Sequence, residues 1–168
     1  MKNNDILRRI RYIFDFSDTK VIAIFALAGS EVTRAQMSDW LKKEDDPAYK
    51  PCNDTYMQHF LDGLITEKRG KKEGATPKLE KRLTNNIILR KLKIALDMKD
   101  DDVLEMMALA SLRISKHELS ALFRRKDHKH YRECKDQILR NFLAGLQMHY
   151  RPEDTVDTGS VWKPVAAK

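Results

Sequence analysis

Glycine and proline are scarce in this sequence, which has six glycines and five prolines among 168 residues. Both residue types interrupt helices, so their scarcity favours a helical protein. Long apolar runs are also missing. The longest, Val21 to Ala28, is far shorter than the roughly 20 residues that a helix needs to cross a bilayer. We therefore expect no membrane partner.

Cysteine is nearly absent. Cys52 and Cys134 are the only two, and they occupy matching positions of a duplication described below. Matching positions indicate a packing role used twice rather than a disulfide, and a reducing cytoplasm is the natural location. The first residues, MKNNDILRRIRYIFDF, spread charges among their apolar side chains, unlike a signal peptide. We expect a cytoplasmic protein with both thiols buried and reduced.

Sequence signatures of enzymes are missing as well. We find no Gly-rich phosphate loop, no G-x-S-x-G elbow and no H-E-x-x-H. One cluster has the residue types of metal ligands: Asp127, His128, His130 and Cys134. Its spacing is not that of a structural zinc site, and the first copy of the duplication has Asp46 and Ala48 in place of the two histidines. We therefore predict no catalytic residues, no metal and no cofactor.

The sequence contains one long stretch twice. Residues 45–64 read DDPAYKPCNDTYMQHFLDGL, and residues 127–146 read DHKHYRECKDQILRNFLAGL, with matching residues a constant 82 positions apart. The same offset relates residues 3–8 to 85–90. A fixed period over this length indicates a duplicated structural unit. We expect a first helical repeat over residues 1–69, a linker over 70–82, a second repeat over 83–150 and a tail over 151–168 that is loose or docked only through Trp162.

Apolar spacing predicts four helices in each repeat, and thus an all-α protein of two tandem four-helix repeats related by approximate symmetry. Asn3 and Asn4 offer an N-cap for the first helix. The second helix begins near Asp18 and is apolar on nearly every side, so we expect it to be the buried centre of its unit. Gly29 is its expected end.

The remaining helices have clear local signals. The third opens with a capping box, Thr33-x-x-Gln36, which Ser115-x-x-Glu118 repeats in the second copy. The fourth is expected to start around Asn53. Gly63 and its counterpart Gly145 interrupt good helical patterns, which indicates either the close approach of another helix or a shared bend.

The two middle helices of each repeat resemble a helix-turn-helix, in which the third helix would be the recognition helix, entering a groove by its N-terminal end. Ser30 and Glu31 make the connection two residues longer than the usual tight turn. A packed helical pair with a longer turn fits the same residues equally well.

The net charge of +7 is concentrated in the second repeat, because residues 75–150 hold 16 basic and 10 acidic residues. A basic domain favours an anionic partner such as DNA or RNA. The expected contacts, which would mainly neutralise phosphates, are Lys116, His117, Arg124, Arg125, Lys126, Lys129, His130 and Arg132. The first repeat is the poorer candidate, since acidic residues stand among its basic ones. The alternative is an ordinary solvated face.

Several strings occur together in order: NNDILRRIRYI, NNIILRKLKIA, LKKEDDPAYKPC, FLDGLITEKRGK and DHKHYRECKDQILRNFLAGL. Through them the chain resembles the YehS-like family of small bacterial proteins over about residues 1 to 150. The resemblance implies a cytoplasmic helical protein of two copies, and it implies no catalytic residues.

We expect a non-enzymatic module that binds nucleic acid or acts as a regulator. The second hypothesis is a helical protein–protein interaction adaptor. Its partner would bind an exposed apolar patch or the arginine-rich face of the first helix. An uncharacterised enzyme is the third.

Overall fold

A computed structural model describes residues 1–71 and 78–155, and these residues contain helices and no strand. The first repeat has α1 (Asn3–Ile13), α2 (Asp18–Leu27), α3 (Arg34–Leu41) and α4 (Asp54–Arg69). The second has α5 (Asn85–Ala95), α6 (Asp100–Leu109), α7 (Lys116–Leu122) and α8 (Asp136–Tyr150). Each helix of the second repeat begins 82 residues after its counterpart. The prediction of an all-α protein with two four-helix repeats is confirmed.

The chain divides into two compact units. The first comprises Met1–Leu83 with Ile94–Leu96, and the second comprises Thr84–Lys93 and the residues from Asp97 onward. Of the expected linker, residues 72–77 lie outside the described ranges. Its last residues are attached to α4: the Gln58 side chain bonds both backbone polar groups of Glu80, at 2.9 and 2.7 Å. The Asp54 carboxylate accepts the N–H of Leu83 at 3.0 Å.

In the first unit α2 packs against α4, and in the second unit α6 packs against α8. Two glycines related by the repeat offset lie at these contacts. A Cβ on Gly63 would be 1.9 Å from the carbonyl oxygen of Ile24, and a Cβ on Gly145 would be 1.7 Å from that of Met106. Only glycine allows two backbones this close. The structure therefore selects close helix approach as the role of both glycines.

The second helix is not the buried centre of its unit. In α8 every residue from Asn141 to Gln147 is buried. Along α2, by contrast, Ala23, Ala26 and Leu27 are exposed, with Leu27 at 47%. The expectation that the second helix is buried on nearly every side is therefore wrong. Its apolar character comes partly from alanines, and apolar side chains placed singly on a surface are common in soluble proteins.

Most helix boundaries follow the local signals. Thr33 and Gln36 form both bonds of a capping box, as do Ser115 and Glu118. Asn53 caps α4 by accepting the N–H of Tyr56. Gly29 follows α2 with a φ of +77°, a left-handed conformation that suits glycine. These predictions are confirmed.

Asn3 and Asn4 are not N-caps. Lys2 occupies that position without a side-chain bond, and both asparagines lie within the first turn of α1. The reason is tertiary: their side chains bond a loop of the same repeat, as described below.

Residues of the expected C-terminal tail are partly structured. Pro152–Thr155 form a 3-10 helix that packs against α8, and the Gln147 side chain donates to the Asp154 carboxylate at 3.2 Å. Trp162, proposed from the sequence as the residue that docks the tail, lies outside the described residues.

Candidate nucleic-acid interface

The eight residues predicted to bind nucleic acid lie on α7 and on the loop that follows it. We call residues 123–135, between α7 and α8, the basic loop. Lys116 and His117 begin α7 and are exposed. Arg124 is half-buried, and the other members of the set in the loop are exposed: Arg125, Lys126, Lys129, His130 and Arg132.

One buried amide holds both ends of the basic loop. The Nδ2 group of Asn86, on α5, donates to the carbonyl oxygens of Leu122 at 2.9 Å and Arg132 at 2.7 Å. Its Oδ1 atom accepts the backbone N–H of Cys134 at 2.9 Å. Asn86 is only 3% exposed, so these bonds satisfy polar groups that water does not reach. The loop is therefore tethered to the core at its base.

The first repeat has the same hydrogen-bond arrangement. Asn4 donates to the carbonyl oxygens of Trp40 and Lys50 and accepts the N–H of Cys52, each at 2.9 Å. We call Asn4 and Asn86 the loop clamps. Sequence reasoning missed this role, although the asparagine pair recurs at the repeat offset.

The neighbouring asparagines, Asn3 and Asn85, strengthen each clamp. Asn85 donates to the Cys134 carbonyl oxygen and the Asp136 carboxylate, and Asn3 bonds Cys52 and Asp54 in the same way.

Both cysteines are buried beside the clamps, as predicted. Burial is the main cause that raises the pKa of each thiol from 9.0 to about 12. Cys134 is therefore a neutral packing residue at physiological pH. Within residues 1–71 and 78–155, no three His, Cys, Asp or Glu side chains are grouped so that they could hold a metal ion.

The carboxylates of the basic loop are already paired. Arg125 lies 3.4 Å from the carboxylate of Asp127, and Lys135 lies 3.2 Å from that of Glu133. By contrast, Arg124, Lys126 and Lys129 form no ion pair with any described residue. These cations are the ones most available to an anionic ligand.

The corresponding loop of the first repeat has a different charge pattern. At the positions of Lys126 and His128 it has Glu44 and Asp46. The Lys42 ammonium donates to Asp39 at 2.8 Å, and this bond raises the pKa of Lys42. The same bond lowers the pKa of Asp39. The two loops thus have equivalent clamps, but the basic loop has a net charge of +4 whereas residues 41–53 of the first repeat are neutral overall.

One carboxylate lies beside the basic cluster. Glu118 closes the capping box of α7 by accepting the Ser115 N–H at 3.1 Å. The backbone bond from Ser115 is the largest cause that lowers the pKa of Glu118, and Arg132 and His117 lower it further. Its negative charge opposes an incoming phosphate. Lys116, at the start of the same helix, lies 3.6 Å from the Asp101 carboxylate.

A cleft with two halves opens between α7, the basic loop and α8. The polar half, of about 490 Å³, is lined by Glu118, Tyr131 and four of the predicted residues: His117, Lys129, His130 and Arg132. The more apolar half, of about 410 Å³, has the side chains of Ile114, Leu122 and Ile138 in its wall, with the charged residues Glu133 and Lys135 at the same half. Glu118, Tyr131 and Arg132 line both halves. The other predicted residues, on α7 and the loop, line neither half.

The family described as "Protein of unknown function (DUF1456)" matches residues 3–70 and 85–151. The chain belongs to this family. Its two matched segments coincide with the two repeats, so the duplication and the family resemblance read from the sequence are confirmed.

The chain is also similar to "Uncharacterized protein YehS" of Escherichia coli (strain K12). The two are 47% identical over 148 residues, which cover 87% of this chain and 94% of that protein. No solved structure matches the chain. Neither the family description nor the relative's name states an activity.

None of the helices in the described ranges combines the length and apolar character needed to cross a membrane.

Proposed function

We propose that this protein is a non-enzymatic nucleic-acid-binding or regulatory module, and that the basic loop is its contact surface. The observation that carries the proposal is the charge arrangement of this loop. Arg124, Lys126 and Lys129 form no ion pair with a described residue, while Asp127 and Glu133 are engaged by neighbouring cations. Asn86 anchors the loop at both ends.

Phosphate is the group that this surface suits best. Arginine presents a planar fork of donors that matches phosphate oxygens, and lysine supplies a compact positive charge. Such contacts give affinity that depends on salt and discriminates little between sequences. The anchored loop supports this role because less of its backbone must be ordered when the ligand binds.

The proposal does not depend on a recognition helix. Six residues, 110–115, connect α6 to α7, whereas a helix-turn-helix has three or four. Helix α7 is seven residues long. The likeness to a helix-turn-helix therefore remains a prediction, and the contacts are assigned to the loop together with Lys116 and His117.

Fluorescence anisotropy with a random DNA duplex and a structured RNA tests the proposal. We expect binding at low salt that weakens steadily as salt increases, because phosphate contacts release counterions. No binding to either nucleic acid at low salt would refute the proposed function.

The second candidate is the protein-interaction adaptor, and the outer side of α2 favours it. Ala23, Ala26 and Leu27 are exposed there; at the equivalent positions of α6 Glu105 replaces Ala23, while Leu109 is exposed as Leu27 is. This role predicts a protein partner that stays on the immobilised chain after nuclease treatment and is lost from the Leu27→Lys variant. Loss of the partner on nuclease treatment alone would instead favour the nucleic-acid role.

A further inference from the structure

Two aliphatic residues that line the apolar half of the cleft have larger aromatic counterparts in the first repeat. Leu122 and Ile138 line it in the second repeat. Trp40 and Tyr56 stand at the equivalent positions of the first, with their ring centroids 4.9 Å apart. The Gln36 side chain also donates to the Tyr56 hydroxyl at 3.3 Å. Two aromatic rings thus occupy a region of the first repeat where the second has shorter aliphatic side chains.

Tyr131 borders both halves of the cleft. Its side chain is half-buried, and burial is the main cause that raises its pKa. In the part of the chain that the structure describes, no aromatic ring contacts it. Ile114 and Ile138 contribute apolar surface to the same wall. Flat apolar groups bind well in such surroundings.

The polar half of the cleft suits an anion. Lys129, His130 and Arg132 line it, and Arg132 borders the apolar half as well. The two volumes, about 490 and 410 Å³, each fall within the range of small-ligand pockets. Because Glu118, Tyr131 and Arg132 line both, the two halves adjoin, one with more basic and the other with more apolar side chains.

We propose that this cleft binds one nucleotide of a single-stranded nucleic acid, with its base in the apolar half against Tyr131 and its phosphate on Lys129, His130 and Arg132. The inference rests on the proposed function and specifies the class of nucleic acid. Single-strand-binding proteins combine a basic groove with aromatic platforms on which unpaired bases stack. A duplex hides its base faces, so it would contact only the cations of the basic loop.

Carboxylates border both halves of the cleft. Glu118 lines both, so it opposes a phosphate in either half, whereas Glu133 lines only the apolar half. Lys129 and His130 line only the polar half, which is therefore the better position for the phosphate.

The test fills the apolar half with the residues of the first repeat. The Leu122→Trp/Ile138→Tyr variant places side chains there that the equivalent helices already accommodate. Anisotropy is measured with a short single strand and with the duplex of the same sequence, after circular dichroism has confirmed the fold. We expect the natural protein to prefer the single strand. The variant should bind the single strand about tenfold more weakly, the scale of one base stack, and keep its duplex affinity.

A second variant keeps the cleft testable if the filled variant misfolds. Tyr131→Leu removes the ring without adding volume, and Tyr49→Leu is the matched change in the first repeat. Only the Tyr131 change should weaken single-strand binding. If neither Tyr131→Leu nor the filled variant does so, the cleft assignment is refuted, and the proposed function survives provided that duplex binding persists. Absence of binding to both forms by the natural protein would refute the proposed function itself.

Competition with a free nucleoside monophosphate tests whether the bound nucleotide belongs to a strand. A strand should bind more tightly than a free nucleoside monophosphate, because its further phosphates reach the basic loop. Equal affinities for the two would overturn the assignment to a strand.

Discussion

Gly63 lies against the backbone of Ile24, and a Cβ at position 63 would be 1.9 Å from the Ile24 carbonyl oxygen. The same relationship recurs 82 residues later between Gly145 and Met106, at 1.7 Å. These distances are well below any van der Waals contact, and the opposing atoms belong to the backbone, which has no rotamer with which to move away. Direct backbone contact between the second and fourth helices is thus the shared packing principle of both repeats.

Alanine at either glycine should destabilise its repeat. Gly63→Ala and Gly145→Ala each gain about 1 kcal/mol of helix propensity, but the helices must separate, and overpacking of this kind costs roughly 1–3 kcal/mol or more. We expect a net loss of stability, measured by urea unfolding. Ala26→Gly, on the exposed side of α2, is the control and should cost about 1 kcal/mol. A Gly63→Ala variant as stable as the natural protein would contradict the packing argument.

We expect removal of the two loop clamps to affect stability alike but nucleic-acid affinity differently. Asn86→Ala and Asn4→Ala each leave one buried carbonyl, one part-buried carbonyl and one buried N–H without that partner. At about 1–3 kcal/mol per unsatisfied group, each should lose at least about 2 kcal/mol in the free energy of unfolding. Only Asn86→Ala should also weaken nucleic-acid binding, because it frees the basic loop. Equal effects of both changes on affinity, measured by anisotropy well below the unfolding transition, would argue against that role.

Glu118→Gln should strengthen nucleic-acid binding. The change removes a negative charge beside Arg132 and His117, and one unit charge several ångströms from a phosphate is worth about two- to fivefold in affinity near water. Stability should change little, because Gln36 closes the same capping box in the first repeat. Gln36→Glu is the matched control, expected to leave affinity nearly unchanged. Weaker binding by Glu118→Gln would contradict the proposed position of the phosphate.

Because both thiols are buried, we expect the stability of the folded protein to depend on pH. Burial raises the pKa of Cys52 and Cys134 from 9.0 to about 12, so the folded protein keeps two protons that the unfolded chain releases above pH 9. Their contribution to stability is complete below pH 9 and falls as pH rises towards 12, by up to about 1.4 kcal/mol per pH unit for each thiol.

Urea unfolding at pH 8 and pH 10 checks this prediction, with Cys134→Ala as the control whose decline should be shallower. Thiol reagents should label neither cysteine at pH 8 until the chain unfolds. Rapid labelling of the folded protein would show that the thiols are not buried.

Local sequence signals predicted much of the fold. The capping boxes at Thr33 and Ser115, the cap at Asn53 and the two interior glycines each depend on residues within a few positions of one another, and the structure contains all of them. The constant offset of 82 then carried each assignment from one repeat to the other.

Features that depend on distant partners were not predictable in this way. Asn4 resembles an N-cap because an asparagine precedes an apolar period, but its partners lie 36 to 48 residues away. The burial of α2 was overestimated because an alanine counts as apolar in a hydropathy pattern whether it faces the core or the solvent. The cleft was missed because it depends on the sizes of Leu122 and Ile138, which become informative only when they are compared with Trp40 and Tyr56.

The most direct test of the central claim is a matched charge reversal in the two loops. Arg124→Glu/Arg125→Glu alters the basic loop, and Lys42→Glu/Lys43→Glu alters the equivalent positions of the first repeat, which adjoin Glu44 and Asp45. Affinity for a DNA duplex and a structured RNA is measured by anisotropy across a salt series.

We predict that the Arg124/Arg125 reversal lowers affinity at least about tenfold. It should also reduce the slope of log affinity against log salt by about 2, one for each phosphate that the loop no longer neutralises. The Lys42/Lys43 reversal should change both quantities much less. Equal reductions in affinity from the two reversals would contradict the assignment of binding to the second repeat.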